Sequence, residues 1–326
     1  MNRTVLDEFE SCDKLLLIGP FFPMVGGVSV FLERLAYQYK NHEKFFFVGG
    51  SFGAYFNLSR TVYRERKNTI CLNTVNFLVA SFFVFFNIFF RCETIFIDHN
   101  DRQFDKGFLY KILFKLFLRT NKKNIVVGSS TLIKYQKNKI SNVIEKNSFI
   151  PPNLTELNNK LENLDESLIS FTKKRRKLIV SNASNLVIED GVDLYGIDLC
   201  INLLNKIVNE DKIDAGLLLF ISKVSDYEYL RKLERAIFNK GLSDFIYFNI
   251  GDSELWPIFS ISDLSIRATS KDGFGISVAE SIYLNCPCVA SDVCKRYPGA
   301  ILFKSRDLSD LYVQALKILK EDKNEK

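Results

Sequence analysis

The sequence lacks the patterns of a metal centre built on cysteine and of a disulfide framework. It has only two histidines in 326 residues, and its seven cysteines are an odd number without the spacing of metal ligands. Such cysteines are typical of reduced core residues in an intracellular protein. We therefore expect a cytoplasmic protein whose cysteines pack in the interior.

Segments that would carry the chain into or across a membrane are also missing. The first residues are polar and acidic, so we expect no signal peptide. The Phe-rich run at 77–90 contains Asn87 and has 14 residues, whereas roughly 20 apolar residues are needed to cross a bilayer. This run predicts a buried helix, or one that lies partly in a membrane surface.

The composition fits a soluble protein of two domains. Hydrophobic residues make up 47% of the chain and charged residues 25%, and 326 residues suffice for two separate cores. The net charge is +6, but residues 101–147 hold eleven Lys or Arg against three Asp or Glu. This concentration favours an anionic partner or is a solvated surface. Because no nucleic-acid motif accompanies it, we expect no nucleic-acid partner.

The order of apolar segments predicts two α/β domains. An apolar run at 14–19 ends in glycine, as a buried parallel strand does, and a glycine loop and a helical pattern follow. Strands and helices alternate until Ile-Pro-Pro-Asn at 150–153 and a polar stretch to 176, after which the alternation restarts. We expect a GT-B-like pair of Rossmann-like, doubly wound parallel sheets facing a cleft, with domains at 1–165 and 166–326.

The strongest signal for chemistry lies at residues 263–292. A predicted strand ends at Arg267, a tight glycine loop follows, and a helix begins near Ile276. Glycines let the backbone approach a ligand, and a helix N-terminus presents N–H groups to phosphate oxygens. The carboxylates of Asp272 and Glu280 suit sugar and ribose hydroxyls, since one carboxylate accepts two donors. The predicted phosphate-binding residues are Gly273, Phe274, Gly275 and Ile276.

This segment resembles the retaining GT-B glycosyltransferases, especially family 4 (glycosyl transferases group 1). Their signature is an acid, seven residues and a Glu, usually in a Glu-Gly-Phe-Gly…Glu-Ala run followed by Gly-x-Pro-Val-Val-Ala. The corresponding residues here are Asp272-Gly273-Phe274-Gly275…Glu280, followed by Asn-Cys-Pro-Cys-Val-Ala at 285–290. The resemblance implies that Asp272 contacts the donor hexose, that Glu280 contacts the nucleotide ribose, and that the loop amides hold the diphosphate.

Weaker matches extend the resemblance over nearly the whole chain. Gly26-Gly27 is similar to the double-glycine loop that faces the donor in the family. His99, after the predicted strand at 94–97, is similar to a histidine that many members place near the reacting sugar. Because side chains alternate along a strand, Asp98 is the alternative inward-pointing residue at this position.

A cation pair typical of the family is missing. Members usually carry an Arg and a Lys early in the C-terminal domain to neutralise the donor diphosphate, but here these positions are Ser-Asn-Ala-Ser at 181–184 and Leu-Tyr-Gly at 194–196. A bound diphosphate needs compensating charge. We expect Arg267 to supply it, with Lys223 and Arg296 as further candidates.

The resemblance implies a retaining hexosyltransferase of the EC 2.4 class. It would move a sugar from a nucleotide-diphosphate sugar to a saccharide or lipid-linked saccharide acceptor in bacterial surface polysaccharide biosynthesis. His99, Asp272 and Arg267 would act in catalysis, and neither a metal nor another cofactor is expected. The alternative is a catalytically weak glycosyltransferase-like partner subunit, which the missing cations support.

A basic helix is predicted on the acceptor side, at 107–120. Lys111, Lys115 and Arg119 are interleaved there with large apolar residues, which is the pattern of a helix resting on an anionic membrane. The alternative is a helix packed on its own sheet with a charged outer face. The first interpretation predicts a protein that is peripheral on the inner face of the plasma membrane.

Overall fold

The chain divides into two compact units. The computed structural model describes residues 5–10, 12–21, 27–39, 41–47, 49–99 and 102–321. The division falls after Ile150, so that the units are Met1–Ile150 and Pro151–Lys326. Each unit contains a six-stranded parallel sheet covered by helices, which confirms the predicted α/β class.

The first unit alternates strands and helices. Its elements, in chain order, are β1 (Leu15–Gly19), α1 (Gly27–Gln38), β2 (His42–Phe46), α2 (Phe52–Arg64), β3 (Thr69–Leu72), α3 (Phe77–Phe90), β4 (Thr94–Asp98), α4 (Phe108–Thr120), β5 (Lys123–Val126), α5 (Ser129–Lys137) and β6 (Val143–Glu145), with 3-10 turns at Val5–Glu8 and Arg102–Asp105.

The sheet of the first unit has the strand order β2-β1-β3-β4-β5-β6, and every pairing is parallel. All five residues of β1 are buried, as a strand covered on both faces requires. One face of the sheet packs against α2, α3, α4 and α5, whose inward side chains share a single hydrophobic core that includes Leu58, Phe83, Phe117 and Tyr135.

The Phe-rich run forms α3, and its buried amide is hydrogen-bonded in the interior. Asn87 Nδ2 donates to Asn121 Oδ1 (3.0 Å), and Thr94 Oγ1 donates to Asn87 Oδ1 (2.8 Å). This pairing explains why an amide is tolerated among phenylalanines. Within the described parts of the chain, no helix combines the length and apolarity that a membrane span requires.

The second unit follows the same plan. Its elements are α6 (Leu157–Glu162), α7 (Glu166–Lys173), β7 (Lys177–Ala183), β8 (Ile188–Glu189), β9 (Val192–Asp193), α8 (Ile197–Asn205), β10 (Ala215–Ile221), α9 (Tyr227–Asn239), β11 (Ile246–Ile250), α10 (Trp256–Phe259), β12 (Leu264–Arg267), α11 (Ile276–Tyr283), β13 (Cys288–Ser291), β14 (Ile301–Phe303) and α12 (Leu308–Lys320), with 3-10 turns at Leu154–Glu156 and Ser243–Phe245 and a π turn at Lys206–Glu210.

Residues 151–176, which include the polar stretch after residue 153, belong to the second unit, whereas the sequence predicts residues 151–165 in the N-terminal domain. This stretch contains the two short helices α6 and α7. Leu157 and Leu164 pack against the hydrophobic cluster that contains Trp256 and Phe259. Their contacts therefore tie residues 151–165 to the second core.

The main sheet of the second unit has the strand order β11-β10-β7-β12-β13-β14, all parallel. Numbered in chain order within this sheet, this is the 3-2-1-4-5-6 order of the Rossmann fold. The order reverses between β7 and β12. Ligands of such sheets bind outside the carboxyl ends of the strands at this switch point.

Candidate functional site

The switch point of the second unit brings the ends of two strands together. Strands β7 and β12 pair in parallel, with Ser181 opposite Ile266. Asn182 and Arg267 therefore stand at the carboxyl edge. Helix α8 follows β7 through a short hairpin, and helix α11 follows the loop after β12, so both helices begin at this edge.

The N-terminus of α8 is closed by a carboxylate of the protein itself. Asp193, which is buried, accepts hydrogen bonds from the amides of Gly196 (3.1 Å) and Asp198 (3.2 Å) and from the hydroxyl of Tyr229 (2.8 Å). Since the amides of Gly196 and Asp198 already bind the Asp193 carboxylate, the start of α8 is less suited to a further anion.

Gly196 is required where α8 begins. Its φ is +69°, and a Cβ at this position would lie 2.3 Å from the carbonyl oxygen of Ala268. Only glycine fits such a contact. The start of α8 is thereby packed directly against the loop that follows β12.

The N-terminus of α11 differs from that of α8. Its N-cap residue is Gly275, and within the described residues no side chain caps the helix. Its first turn is closed by the bond from Val278 N to Gly275 O (2.9 Å). The first amides of a helix have no partner within it, so those of Ile276 and Ser277 are placed to receive an anion.

Beside this helix start, two arginines share one carboxylate. Arg267 Nε donates to Asp272 Oδ2 (2.9 Å), and Arg296 Nη1 donates to the same oxygen (2.7 Å). Two guanidinium groups and one carboxylate leave a net positive charge in the group. We call Arg267, Asp272 and Arg296 the Arg–Asp–Arg cluster.

Arg296 is the anchored member of the cluster. Its side chain is 1% exposed, and it also donates to Ser291 O, Ser291 Oγ and Thr269 Oγ1, each at 3.0 Å. Arg267 is held more loosely, since its other hydrogen bonds, from Nη1 to the O and Oδ1 of Asn182, are 3.4 Å long. Arg267 is therefore the more adaptable of the two cations.

The cluster keeps Asp272 ionised. Burial alone would raise the pKa of this carboxyl, but the charges and hydrogen bonds of Arg267 and Arg296 hold it well below its usual range. Burial likewise opposes the charge of Arg267, and the Asp272 carboxylate overcomes that effect and raises the pKa of the guanidinium. Asp272 and Arg267 are therefore charged at neutral pH.

The glycine loop and the cluster fit each other closely. Gly275 has a φ of +76°, and a Cβ there would lie 2.9 Å from Arg296 Nη1 and 3.2 Å from Asp272 Oδ2. Gly273 donates its amide to Asp272 Oδ1 (3.0 Å). The ring of Phe274 meets that of Tyr297 edge-on at 6.4 Å.

Glu280 lies in the second turn of α11 and is buried. It shares this helix with Ile276, whose amide belongs to the first turn. The second unit thus places Arg267 in contact with Asp272, and it places Glu280 on the helix that follows the 272–276 loop. The ligand roles of these residues stay predictions.

In the first unit, His99 lies just past the carboxyl end of β4. Its Nε2 is 2.9 Å from Asn73 Oδ1, and its ring meets that of Phe31 in α1 edge-on at 5.0 Å. Burial lowers the pKa of His99 to about 4, so the imidazole is neutral at pH 7. Asp98 instead is buried and accepts a hydrogen bond from the Tyr135 hydroxyl (2.9 Å).

The remaining predicted positions are less informative. Gly27 is the first residue of α1, and Gly26 lies outside the described residues. Lys223 is exposed in the loop after β10. No group of three or more His, Cys, Asp or Glu among the described residues is placed to hold a metal ion.

The partners of Arg296 could not be found from the sequence. Thr269 and Ser291 are fully buried hydroxyls that hold its guanidinium, and neither belongs to the family signature at 272–280 and 285–290. The one local signal is that Thr269 follows the predicted strand that ends at Arg267, and ligands of an α/β sheet bind at the carboxyl ends of its strands.

The fold is also that of known proteins. No family model and no curated protein sequence matches the chain, but solved structures do. The Anabaena protein HepE in complex with UDP superposes with a TM-score of 0.70 at 12% identity, covering 95% of this chain and 91% of that one. HepE has also been solved with UDP-glucose, at a TM-score of 0.67.

Two further solved structures share this fold. A glycosyltransferase from Rickettsia africae matches with a TM-score of 0.64 at 13% identity, over 94% of this chain and 87% of that one. WaaG, a glycosyltransferase involved in lipopolysaccharide biosynthesis, matches with 0.58 at 14%, over 94% and 90%. The predicted GT-B fold is confirmed. Membership of family 4 and retention of configuration stay predictions.

Proposed function

We propose that this chain is a glycosyltransferase whose second unit binds a nucleotide-sugar donor. The observation that carries the proposal is the Arg–Asp–Arg cluster beside the start of α11, where the structure describes no capping side chain. Net positive charge and free amides at one point suit a diphosphate. This arrangement would replace the Arg and Lys that the resembling family carries elsewhere.

The donor is proposed to be a uridine diphosphate sugar. HepE, which shares the fold, was crystallised with UDP and with UDP-glucose. WaaG acts in lipopolysaccharide biosynthesis, which supports a saccharide or lipid-linked saccharide acceptor in surface polysaccharide synthesis.

The candidate site residues of the second unit have separate proposed roles. Arg267, the more loosely bound cation, would turn toward the diphosphate, while the Ile276 amide and its neighbour in the first turn bind the phosphate oxygens. Asp272 Oδ1 has the amide of Gly273 as its partner and retains capacity to accept a hexose hydroxyl. Glu280 would accept the ribose hydroxyls.

Transfer is proposed to retain configuration and to rely on electrostatics. The leaving nucleoside diphosphate gains negative charge as the sugar departs, and the cluster and the helix amides would stabilise that charge. His99, neutral at pH 7, would act near the sugar as a hydrogen-bonding group and not as a cation. No metal is expected in this mechanism.

A ligand screen tests the proposal. Calorimetry and thermal shift with UDP, GDP, ADP and their sugar conjugates should show binding of UDP and its sugar conjugates, and binding of another nucleotide alone would correct the proposed donor. Glu280→Ala should lose that binding, whereas Glu234→Ala, which removes an exposed glutamate of α9, should retain it. If no nucleotide binds, the catalytically weak partner subunit becomes the better description.

A further inference from the structure

Exposed hydrophobic side chains are concentrated on three consecutive helices of the first unit. Of the 24 exposed large hydrophobic side chains among the described residues, thirteen lie on α2, α3 and α4, which are only 13, 14 and 13 residues long. Large exposed apolar patches of this kind mark interaction surfaces. We call the outer surface of these three helices the three-helix face.

The three-helix face lies on one side of the sheet. The inward residues of all three helices share one hydrophobic core, so their outward residues point away from the same sheet face. On α3, Phe83 is fully buried while Phe85 and Phe89 are exposed. The rings of Tyr63 in α2 and Phe90 in α3 are 5.4 Å apart, and α3 packs along α4.

The charge on this face has one sign. None of the three helices contains an Asp or a Glu. Of their basic residues, Arg64 is paired with Glu43 and Glu65. Within the described residues, no ion pair neutralises the three basic residues of α4, which are Lys111, Lys115 and Arg119.

A helix of the second unit shows that this composition is not general to the chain. Helix α9 also has 13 residues, but it contains the acidic residues Glu228 and Glu234 among its basic ones. Glu228 forms an ion pair with Lys232 at 3.3 Å. Helix α9 thus has the mixed charge of an ordinary solvated surface.

We infer that the three-helix face docks on a lipid bilayer that contains anionic headgroups. The basic residues of α4 would meet the headgroups, and the exposed Phe and Leu side chains would enter the interfacial region, as in helices that lie in the plane of a membrane. A second copy of the chain is a poorer occupant, because two basic faces without carboxylates repel each other.

This inference extends the expectation for α4 to a surface of three helices. It does not rest on the proposed transferase function, because docking uses only the surface of the first unit. If the proposed function and this inference both hold, the chain would meet a lipid-linked acceptor at the membrane surface. Vesicle binding and nucleotide binding are separate readouts, so either can fail alone.

Vesicle flotation with the full chain tests the inference. The parent protein should float with phosphatidylcholine vesicles that contain phosphatidylglycerol, and bind far more weakly to phosphatidylcholine alone or at high salt. Phe108→Ser combined with Leu109→Ser should weaken binding by about tenfold or more. Lys111→Gln with Lys115→Gln should weaken only the anionic component.

The second unit offers a matched control. Phe238 on α9 and Phe108 on α4 are each 76% exposed, so Phe238→Ser removes an equally exposed ring and should leave flotation unchanged. The inference is overturned if the parent does not float, or if Phe108→Ser and Phe238→Ser behave alike. It is also overturned if sedimentation without lipid shows a dimer that the face variants dissociate.

Discussion

Arg296 and Asp272 are 24 positions apart in the sequence, yet Arg296 Nη1 donates to Asp272 Oδ2 over 2.7 Å from a nearly fully buried side chain. Arg267 reaches the same oxygen from the end of β12. The backbone of Gly275 packs against both partners, because a Cβ at this position would lie 2.9 Å from Arg296 Nη1 and 3.2 Å from Asp272 Oδ2. The loop after β12, the loop after β13 and the start of α11 are thus locked into one charged group.

Gly275→Ala should disrupt the Arg–Asp–Arg cluster. The positive φ alone costs roughly 1 kcal/mol for alanine, and the new Cβ must also displace Arg296. Gly241→Ala is the matched control, because Gly241 has a φ of +66° and no atom lies within 4 Å of the place that its Cβ would take. Both variants should lose stability in urea, but only Gly275→Ala should lose nucleotide affinity. Equal affinities would contradict the coupling.

Gly196→Ala should be severely destabilising. Its Cβ would lie 2.3 Å from the Ala268 carbonyl oxygen, a backbone atom that cannot move alone. We expect a loss of at least about 3 kcal/mol in the free energy of unfolding. Gly107→Ala, where no atom lies within 4 Å, should change stability little. A small effect at Gly196 would mean that α8 can shift away from the loop.

Asn87→Leu should destabilise the first unit although it makes α3 more apolar. The change leaves Thr94 Oγ1 and Asn121 Oδ1 without their buried partner. A lost partner for buried polar groups costs about 1–3 kcal/mol. Thermal unfolding measures the effect, and a variant as stable as the parent would show that Thr94 and Asn121 find other partners.

His99 should make stability depend on pH. Burial lowers its pKa from 6.5 to about 4, so between these values the unfolded chain binds the extra proton and the folded chain does not. The free energy of unfolding should therefore fall as the pH drops from about 7 to about 5. His99→Gln should flatten that part of the curve in urea titrations. Equal slopes would show that His99 takes up a proton in the folded protein as readily as in the unfolded chain.

Strands that are apolar throughout could be predicted with their bounds. The predicted strands at 14–19 and 94–97 match Leu15–Gly19 and Thr94–Asp98 to within one residue at each end, because a strand buried on both faces leaves a continuous apolar run. Helix α2 is not among the predicted helices, although Leu58, Thr61 and Val62 form a buried stripe along it. Helices α6 and α7 follow polar sequence, and Leu168 is the only residue that these two helices bury.

The sequence predicts only the part of the candidate site that lies within one continuous segment of the chain. The glycines, Asp272 and Glu280 stand in one segment, and a strand–loop–helix pattern brings them together. Arg296 belongs to the loop after β13, and its contact with Asp272 depends on where that strand ends beside β12. Such a pairing across strands is set by tertiary packing, which no spacing in the sequence records.

A calorimetric titration of UDP and UMP into the parent and into Arg267→Gln would decide whether the Arg–Asp–Arg cluster binds a diphosphate. We expect the parent to bind UDP more tightly than UMP. Arg267→Gln should lose about tenfold to a hundredfold of the UDP affinity, the worth of one charged hydrogen bond. Lys271→Gln, which changes a neighbouring exposed residue paired with Glu189 and Asp190, should keep that affinity. Equal binding of UDP and UMP, or a UDP affinity that survives the loss of Arg267, would contradict a diphosphate site at this cluster.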